Sequence, residues 1–464
     1  MIPTTLMHNY VMKVQWYRSA TVGIFSNSGS SILCDPWMTD GAFIGSWYHW
    51  PPLEGFEFDF LVSKKWDAIY ISHFHADHFD RKLLSAIVRN NGGVKILIPE
   101  YSNKWLRRAV LNCGVTLDNL IEIPNNKSIQ FKDFSIRMFV ADYCNPQICG
   151  ASIPCVSAPS KQSANDSVAL FEADGQSILN ANDALAVQSA QRLWSVVGEV
   201  DLLLGHFGGA GPFPQCFVDL SNQEKLKNAK KTGHVFVNRL IETAGRLNAK
   251  FTMPYAGQYV LGGSLTELNE YRSVISLREV LSIISDADVT TPVSMQPFGE
   301  FDLTRNSLSE EWQEPSSLTY NTYLEKIEKD LFPYQKSEEE WPLAANSLDR
   351  ALQRVKYEFD SYVAKGGLGS NSSITIKTQE VGSTINFGPS QCSISAHPVY
   401  ENQTTIQVDT RLLRRLLIRR AGYKGFTQYH FNQAEIGSHL AWSRKGPYPI
   451  ETQFLNFMQD VAGS

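Results

Sequence analysis

The sequence predicts an α/β fold in which strands and helices alternate along the chain. An apolar run with β-branched and aromatic residues at Ala68–Ile71 indicates a buried strand. Two helix–strand units follow it: a helix at about 80–91 leads to a strand at Val94–Ile98, and a helix at about 103–112 leads to a strand near Leu120–Ile123. This alternation is typical of a layered α/β sheet, and 464 residues are enough for two or more domains.

Further strands and one long helix extend the pattern on both sides. Residues 10–34 alternate and then run apolar through a turn at Asn27-Ser28-Gly29, which predicts a β-hairpin. The later predicted elements are strands at Ser135–Val140 and Val168–Phe171, a strand that ends at Asp183, a strand at Val200–Leu204, an amphipathic helix at about 222–248 and a strand at Phe251–Pro254. The loop of residues 141–166 is long, and such loops in compact domains are usually functional or mobile.

Four side chains with metal-binding groups follow the strand Ala68–Ile71 within six residues: His73, His75, Asp77 and His78. His73 and His75 are two positions apart, so on an extended segment their side chains point the same way. Imidazole and carboxylate together favour zinc or iron over calcium or magnesium. The alternative is a polar loop with chance histidines, but three of the chain's ten histidines fall here. The sequence therefore predicts a metal site.

The order His-x-His-x-Asp-His between a strand and a helix resembles the signature of the metallo-β-lactamase superfamily. The resemblance implies an αββα sandwich with two metal ions, in which His73 and His75 bind one metal and Asp77 and His78 bind the other. It also implies a bridging aspartate after a later strand, for which Asp183 is the candidate; capping of the helix that follows is the alternative. The signature identifies a fold and a metal site, and leaves the reaction open.

Two further side chains are candidates for the same centre. Asp35 ends a strand in Asp35-Pro36-Trp37, the position that this fold uses near its metals; capping of the next turn is the alternative. His206 follows the strand Val200–Leu204 in a glycine-rich segment, where a backbone can approach a ligand closely. His206 is therefore a candidate metal or substrate ligand, whereas His234, in the predicted helix, is interpreted as structural.

Two histidines that the fold usually supplies are absent from the sequence. The third ligand histidine normally lies in the segment that corresponds to residues 141–146, which contains none. Asp142, Asn145 or Asp166 could substitute for it, or one metal could have an open position. A final ligand histidine, expected near Tyr255–Tyr259, is also missing.

Several segments resemble one branch of the superfamily, the CMP-N-acetylneuraminate hydroxylase-like proteins. The matching pieces within about 20–300 are Asp35-Pro36-Trp37, the Ser72–His78 motif, Ile178-Leu179-Asn180 with Asp183, Phe207-Gly208-Gly209-Ala210 with Phe213-Pro214, and Pro254-Tyr255-Ala256-Gly257. The resemblance implies hydroxylation of an N-acyl group on a nucleotide sugar, with O₂, non-heme iron and electrons passed through a Rieske centre. A Rieske centre needs Cys-x-His and Cys-x-x-His pairs, and the sequence contains neither. A separate Rieske-type ferredoxin is therefore the expected electron donor.

Composition and charge narrow the class of protein. Hydrophobic content of 43% and charged content of 19% are ordinary for a soluble globular enzyme. A net charge of −5 without a long basic block gives nucleic-acid binding no electrostatic support. Seven scattered cysteines do not resemble a disulfide framework, which favours the cytoplasm. The sequence predicts neither a signal peptide nor a membrane span, because it has no long apolar run.

The last third of the chain is predicted to be a separate region. Residues 306–317 are polar and turn-rich, and they predict a linker between a catalytic domain at 1–305 and an α+β accessory region at 318–464. The elements predicted in this region are helices at about 318–331, 339–364 and 410–420 and strands near 373–377, 383–387 and 405–408. In Tyr429–His439, two histidines, an amide and a carboxylate could reach back to the active site; a structural polar turn is the alternative.

Three functions are compatible with these observations. The first is a dinuclear non-heme iron monooxygenase that hydroxylates a small-molecule biosynthetic substrate, with the irons bound by His73, His75, Asp77, His78, Asp183 and His206. The second is a dinuclear zinc hydrolase for a phosphodiester, lactone or thioester, in which Asp77 or Asp183 orients the attacking water. The third is a scaffold without chemistry, against which the intact motif argues. The resemblance favours iron and a nucleotide sugar, while the aromatic loop at 43–60 indicates a partly apolar ligand, so the substrate stays open.

Overall fold

The computed structural model describes residues 12–101, 104–140, 166–184, 193–340, 347–363, 373–378, 384–388, 392–395, 403–417, 429–444 and 458. Up to residue 308 its strands are β1 (Lys13–Arg18), β2 (Thr21–Phe25), β3 (Ser31–Cys34), β4 (Trp47–His49), β5 (Ala68–Tyr70), β6 (Lys95–Pro99), β7 (Leu120–Ile123), β8 (Lys127–Phe131), β9 (Phe134–Val140), β10 (Ser167–Ala173), β11 (Gln176–Asn182), β12 (Leu202–Gly205), β13 (Phe251–Pro254), β14 (Tyr259–Leu261), β15 (Thr291–Pro292), β16 (Glu300–Asp302) and β17 (Ser307–Leu308). The α-helices of this part are α1 (Ala42–Gly45), α2 (Glu57–Ser63), α3 (Arg81–Asn90), α4 (Trp105–Leu111), α5 (Asn222–Arg246) and α6 (Leu277–Asp286).

Two large sheets carry this part of the chain. In the described residues, the first sheet has the strand order β17-β16-β1-β2-β3-β5-β6-β7, and the second has the order β15-β13-β12-β11-β10-β9-β8. Strands β3, β5, β6 and β7 run parallel, as do β11, β12, β13 and β15. The β2–β3 hairpin and the two helix–strand units that follow β5 confirm the predicted pattern.

Alternation along each strand divides the apolar side chains between two sides of its sheet. On β5, Ala68 and Tyr70 are buried in the core between the two sheets, together with Phe171 and Ile178 from the second sheet. Ile69 points the other way, into a core with the helices α2, α3 and α4. The outer face of the second sheet packs in the same way against α5 and α6. The result is a four-layered αββα sandwich, and the predicted fold class is confirmed.

The C-terminal region is a smaller α+β unit that packs on the sandwich. Its described elements are α7 (Ser317–Ile327), α8 (Pro333–Glu340), α9 (Ser347–Val363), β18 (Ser373–Thr378), β19 (Thr384–Phe387), β20 (Cys392–Ser395), β21 (Gln403–Val408), α10 (Thr410–Leu417), α11 (Phe431–Ile436) and β22 (Ala441–Arg444). The strands form a sheet in the order β20-β19-β18-β21-β22. Its core includes Ile44, Cys216 and Phe217 from the sandwich, so the two units share buried apolar surface.

Several elements differ from the sequence-based expectations in detail. The aromatic stretch after residue 38 contains β4 and α2, and β4 pairs with the distant β14. Of the helix predicted at about 339–364, the structure describes residues 347–363 as α9, whereas 339 and 340 end α8. Within the predicted linker, β17 pairs with β16 of the first sheet. Over the residues that the structure describes, no helix is both long and apolar enough to cross a membrane.

Candidate metal centre

The candidate ligands lie at the carboxyl ends of parallel strands, where α/β sheets usually bind ligands. The chain leaves β5 and turns, with the carbonyl of His75 accepting hydrogen bonds from the backbone N–H groups of His78 and Phe79 at 3.1 and 2.8 Å. Asp80 then caps α3 by accepting from two of its first N–H groups. Asp183 follows β11 in the second sheet and faces this turn across the sandwich. The turn and the cap explain why four ligand side chains fit into so short a segment.

A first group of ligand atoms consists of two histidines and one aspartate. His73 Nε2 lies 2.9 Å from His75 Nδ1 and 3.5 Å from Asp166 Oδ1. The three side chains bring one ligand atom each to a common point. Asp166, which directly precedes β10, is one of the three side chains that could substitute for the missing third histidine, and it lies beside His73 and His75.

A second group gathers around His78. Its Nε2 atom lies 3.3 Å from Asp183 Oδ2 and 3.5 Å from Asp77 Oδ2. His73, His78 and Asp183 also bring their ligand atoms to a common point, so the two groups adjoin each other. The arrangement places the four motif residues and Asp183 in one cluster.

The histidine nitrogens that face away from the cluster have hydrogen-bond partners. His73 Nδ1 contacts Ser72 Oγ at 2.9 Å, and His78 Nδ1 contacts Asp35 Oδ2 at 3.0 Å. Asp35 is fully buried and also accepts from the Ser72 backbone N–H and hydroxyl at 2.7 and 2.8 Å. His75 Nε2 contacts Asn432 Oδ1 at 3.0 Å. Such outer partners fix the orientation and tautomer of metal-binding histidines.

The protonation of the cluster follows from burial and from the neighbouring charges. Burial lowers the pKa of His75 to about 4 and that of His73 well below its usual range. Burial also raises the pKa of Asp77 and of Asp166 to about 7. Two histidines are thus held neutral, as metal ligation requires.

Burial is the largest single influence on the pKa of both His78 and Asp183, but the neighbouring charges together outweigh it. Burial by itself lowers the pKa of His78, but the carboxylates of Asp77 and Asp183 raise it well above its usual range. Burial by itself raises the pKa of Asp183, but the adjacent His78 holds it well below its usual range. The carboxylates of Asp77 and Asp183 therefore favour a positive charge, such as that of a protonated His78 or a metal ion, at the centre of the cluster.

The residues present fit a metal centre. His78 Nε2, Asp77 Oδ1 and Asp166 Oδ1 are buried, and no described residue gives them a well-directed hydrogen bond. Buried polar atoms without partners are rare in folded proteins and call for an explanation. Imidazole nitrogens and carboxylate oxygens that converge on one point are the ligands of zinc and iron sites.

His206 lies beside the cluster and outside both ligand groups that the described residues form. Its Nδ1 atom donates a hydrogen bond to the carbonyl oxygen of Asn182 at 3.0 Å. The positive charge that His206 can carry contributes to the low pKa of Asp183. His206 as a ligand stays a prediction. His234 is half-exposed on α5, 3.6 Å from Glu279.

Two residues enter the site that the motif alone did not identify. Asp166 was one of three possible substitutes for the missing histidine, and the other two, Asp142 and Asn145, lie outside the described residues. Asn432 belongs to Tyr429–His439, the segment expected either to reach the active site or to form a structural turn. The contact between Asn432 and His75 shows that the segment reaches the cluster.

Comparisons with known proteins place the chain near iron–sulfur and hydroxylase proteins. A Mycobacterium tuberculosis protein provisionally named a Rieske 2Fe-2S iron–sulfur protein is 26% identical over 249 residues, which are 53% of this chain and 44% of that protein. Cytidine monophosphate-N-acetylneuraminic acid hydroxylase of Danio rerio is 25% identical over 239 residues, 49% of this chain and 35% of the relative. The chain thus covers less than half of the length of these curated relatives. No family model matches the sequence.

Similarity to solved structures is weaker. CmlA, a diiron beta-hydroxylase from Streptomyces venezuelae, gives a TM-score of 0.38 at 16% identity over 61% of this chain and 52% of CmlA. The metallo-beta-lactamase fold protein YhfI from Bacillus subtilis gives 0.39 at 11% identity over 63% of this chain and 99% of YhfI. The observed αββα topology and the His-x-His-x-Asp-His turn agree with the predicted resemblance to the metallo-β-lactamase superfamily. The sequence matches confirm the predicted resemblance to the CMP-N-acetylneuraminate hydroxylase-like proteins.

Proposed function

We propose that the protein is a monooxygenase that holds two iron ions and hydroxylates a small-molecule substrate with O₂. The irons are bound by His73, His75, Asp77, His78 and Asp183, with Asp166 and His206 completing the set. When bound, the irons supply the redox chemistry that activates O₂. In this proposal residues 1–305 form the catalytic domain. Residues 306–317 are the linker to an accessory region at 318–464.

The observation that carries the proposal is the two-histidine, one-carboxylate group of His73, His75 and Asp166. Two histidines and one carboxylate with open positions are the ligand set of non-heme iron oxygenases, and zinc hydrolases such as thermolysin also use two histidines and one carboxylate. Asp166 gives this group an anionic oxygen ligand beside two imidazoles, a set that is compatible with iron and O₂ chemistry.

The protein's own residues shape the chemistry in two further ways. Asp77 and Asp183 flank His78 Nε2 at 3.5 and 3.3 Å, so they can hold or accept a proton beside the reacting atoms. The aromatic rings of Phe43 and Trp47 lie 4.5 Å apart, and the ring of Phe43 lies 6.0 Å from that of His75. In this proposal the two aromatic side chains exclude water from the side of the site where His75 lies. An apolar wall of this kind protects oxidising chemistry from solvent.

The electron donor in this proposal is a separate Rieske-type ferredoxin. Relatives of the chain include proteins named for a Rieske cluster and for nucleotide-sugar hydroxylation. The 464 residues contain no Cys-x-His or Cys-x-x-His pair, and these pairs hold a Rieske cluster. The four described cysteines are buried and apart from one another. A nucleotide sugar is the substrate class that the hydroxylase relatives favour.

The intact His-x-His-x-Asp-His turn also favours a second candidate, a dinuclear zinc hydrolase. The buried Asp77 Oδ1 has no well-directed partner among the described residues, and it could orient a water for attack on a phosphodiester, lactone or thioester. The two candidates differ in the metal and in the requirement for electrons.

The experiment begins with elemental analysis of protein purified without added metal. We expect about two irons per chain, followed by O₂ uptake that depends on a reduced Rieske-type ferredoxin and on a nucleotide sugar. His73→Ala should lose iron and O₂ uptake, while the matched control His234→Ala, which removes a histidine at the surface of α5, should retain both. About two zincs per chain with ester or phosphodiester hydrolysis would replace the oxygenase by the hydrolase.

A further inference from the structure

We propose that Asn432, in the C-terminal region, is a positioning residue of the metal centre that fixes the tautomer and orientation of His75. The inference rests on the proposed metal centre, but it does not depend on whether the reaction is an oxidation or a hydrolysis. It makes the C-terminal region a working part of the active site, with an amide as the group that it supplies.

The two nitrogens of the His75 ring face different partners. Nδ1 faces the cluster, 2.9 Å from His73 Nε2, and Nε2 faces Asn432 Oδ1 at 3.0 Å. A neutral imidazole has one nitrogen with a lone pair and one with a proton. If Nδ1 binds the metal, the proton is on Nε2, and this buried donor needs an acceptor. The amide oxygen of Asn432 meets that need.

The same pattern holds at the other two histidines of the motif. Each ring turns one nitrogen to the cluster and the other to an oxygen: His73 to Ser72 Oγ and His78 to Asp35 Oδ2. Ser72 and Asp35 are close to the motif in sequence, whereas Asn432 is separated from His75 by 357 positions. Each motif histidine thus has one oxygen partner outside the cluster, and the partner of His75 comes from a distant part of the chain.

Several contacts fix Asn432 in this place. Its backbone N–H donates to His430 Nδ1 at 3.3 Å, which caps the start of α11. At the end of α11, the carbonyl of Ile436 accepts from the indole N–H of Trp47 at 3.3 Å. His439 Nε2 donates to the carbonyl oxygen of Phe43 at 3.0 Å. The helix is thus capped at its start by its own N-cap residue and is bonded at its end to the part of the sandwich beside the cluster.

The backbone that receives these contacts is strained. Phe43 and Ile44 have φ angles of +50° and +62°, a left-handed conformation that side chains other than glycine rarely adopt. Gly437 packs so closely on this turn that a Cβ atom at residue 437 would lie 2.6 Å from the carbonyl oxygen of Phe43. Strained backbone persists where the surrounding structure holds it, and it clusters at functional sites. The strained turn and the segment around Asn432 therefore stabilise each other next to His75.

Metal affinity tests the inference directly. We expect Asn432→Leu, which keeps the volume and removes the acceptor, to weaken by about 10- to 100-fold the Co²⁺- or Zn²⁺-binding step that involves His75, measured by chelator competition. Asn432→Asp keeps an acceptor and should bind that metal within a few-fold of the wild type. The matched control is Asn386→Leu, which removes a buried amide of the C-terminal sheet that bonds Thr375 and Ser395; it should leave metal affinity unchanged.

A second measurement on the unmodified protein covers the case in which Asn432→Leu does not fold. Hydrogen–deuterium exchange of residues 430–440 should slow when the metal is bound, because ligation at Nδ1 strengthens the His75–Asn432 contact. Equal metal affinity of wild type and Asn432→Leu, or exchange that is indifferent to metal, would overturn the inference alone. A wild-type protein that binds no metal would overturn the metal centre as well.

Discussion

Asp35 offers the sharpest test of how the centre is held, through the substitution Asp35→Asn. The carboxylate is fully buried and accepts three hydrogen bonds, from the Ser72 backbone N–H, the Ser72 hydroxyl and His78 Nδ1, at 2.7, 2.8 and 3.0 Å. Asparagine has nearly the same shape but only one accepting oxygen. It also tolerates the left-handed backbone of residue 35, whose φ is +45°. The change therefore alters the hydrogen bonds more than the packing.

Either orientation of the new amide sets a donor against a donor. If the NH₂ group faces Ser72, the backbone N–H of Ser72 loses its acceptor. If the NH₂ group faces His78, the ring must accept at Nδ1 and carry its proton on Nε2, the nitrogen that faces the cluster. A buried donor without an acceptor costs about 1–3 kcal/mol, which corresponds to roughly 5- to 150-fold weaker metal binding at His78. This range agrees with the about 10- to 100-fold effect usual for such partners.

The assay is a chelator competition that resolves the two metal-binding steps, with Co²⁺ as a spectroscopic probe. Asp35→Asn should weaken the step that involves His78 and leave the other nearly unchanged. The matched control is Asp80→Asn, because Asp80 is also a buried carboxylate with several donors but caps α3 outside the cluster. The reasoning would be refuted if both steps kept their wild-type affinities in Asp35→Asn, or if Asp80→Asn weakened them equally.

Three other predictions concern ligand type, a buried ion pair and pH. Asp166→His should lower the iron content and raise the zinc content of purified protein, because it creates a three-histidine ligand set; unchanged metal ratios in elemental analysis would contradict this. Glu57→Gln should lower the free energy of unfolding in urea by about 3–5 kcal/mol without changing metal content, because Arg18, bonded at 2.9 Å, would remain a buried charge. Burial lowers the pKa of His439 from 6.5 to about 4, so the unfolded chain binds this proton first, and stability should fall between about pH 6.5 and 4 by up to about 3 kcal/mol. His439→Gln should flatten that part of the stability profile measured in urea at each pH.

The part of the site that the sequence predicted depends on local spacing. His73, His75, Asp77 and His78 fall between a strand and a capped helix, so the short turn alone brings them together. Positions of this kind can be inferred from periodicity and chain order, since the backbone between them has few alternatives. Asp183 was identified differently, because the resemblance to the metallo-β-lactamase superfamily implies an aspartate after a later strand.

Other features depend on packing between distant parts of the chain. Asp166 comes directly before β10, at the end of the long predicted loop, and the sequence offered Asp142 and Asn145 on equal terms. Strand β4 has three residues and its partner β14 is some two hundred positions away, so neither strand has a periodic signal of its own. Only the tertiary fold decides between such alternatives.

The outer partners make the two halves of the centre chemically unequal. His78 is bonded to the carboxylate of Asp35, and an anionic partner raises the basicity of a ligating imidazole. His75 is bonded to the neutral amide of Asn432, which orients the ring without adding charge. The group around His78, which the sandwich alone builds, should therefore bind its metal with the higher affinity. The group of His73, His75 and Asp166, which the C-terminal region helps to form, should bind its metal with the lower affinity.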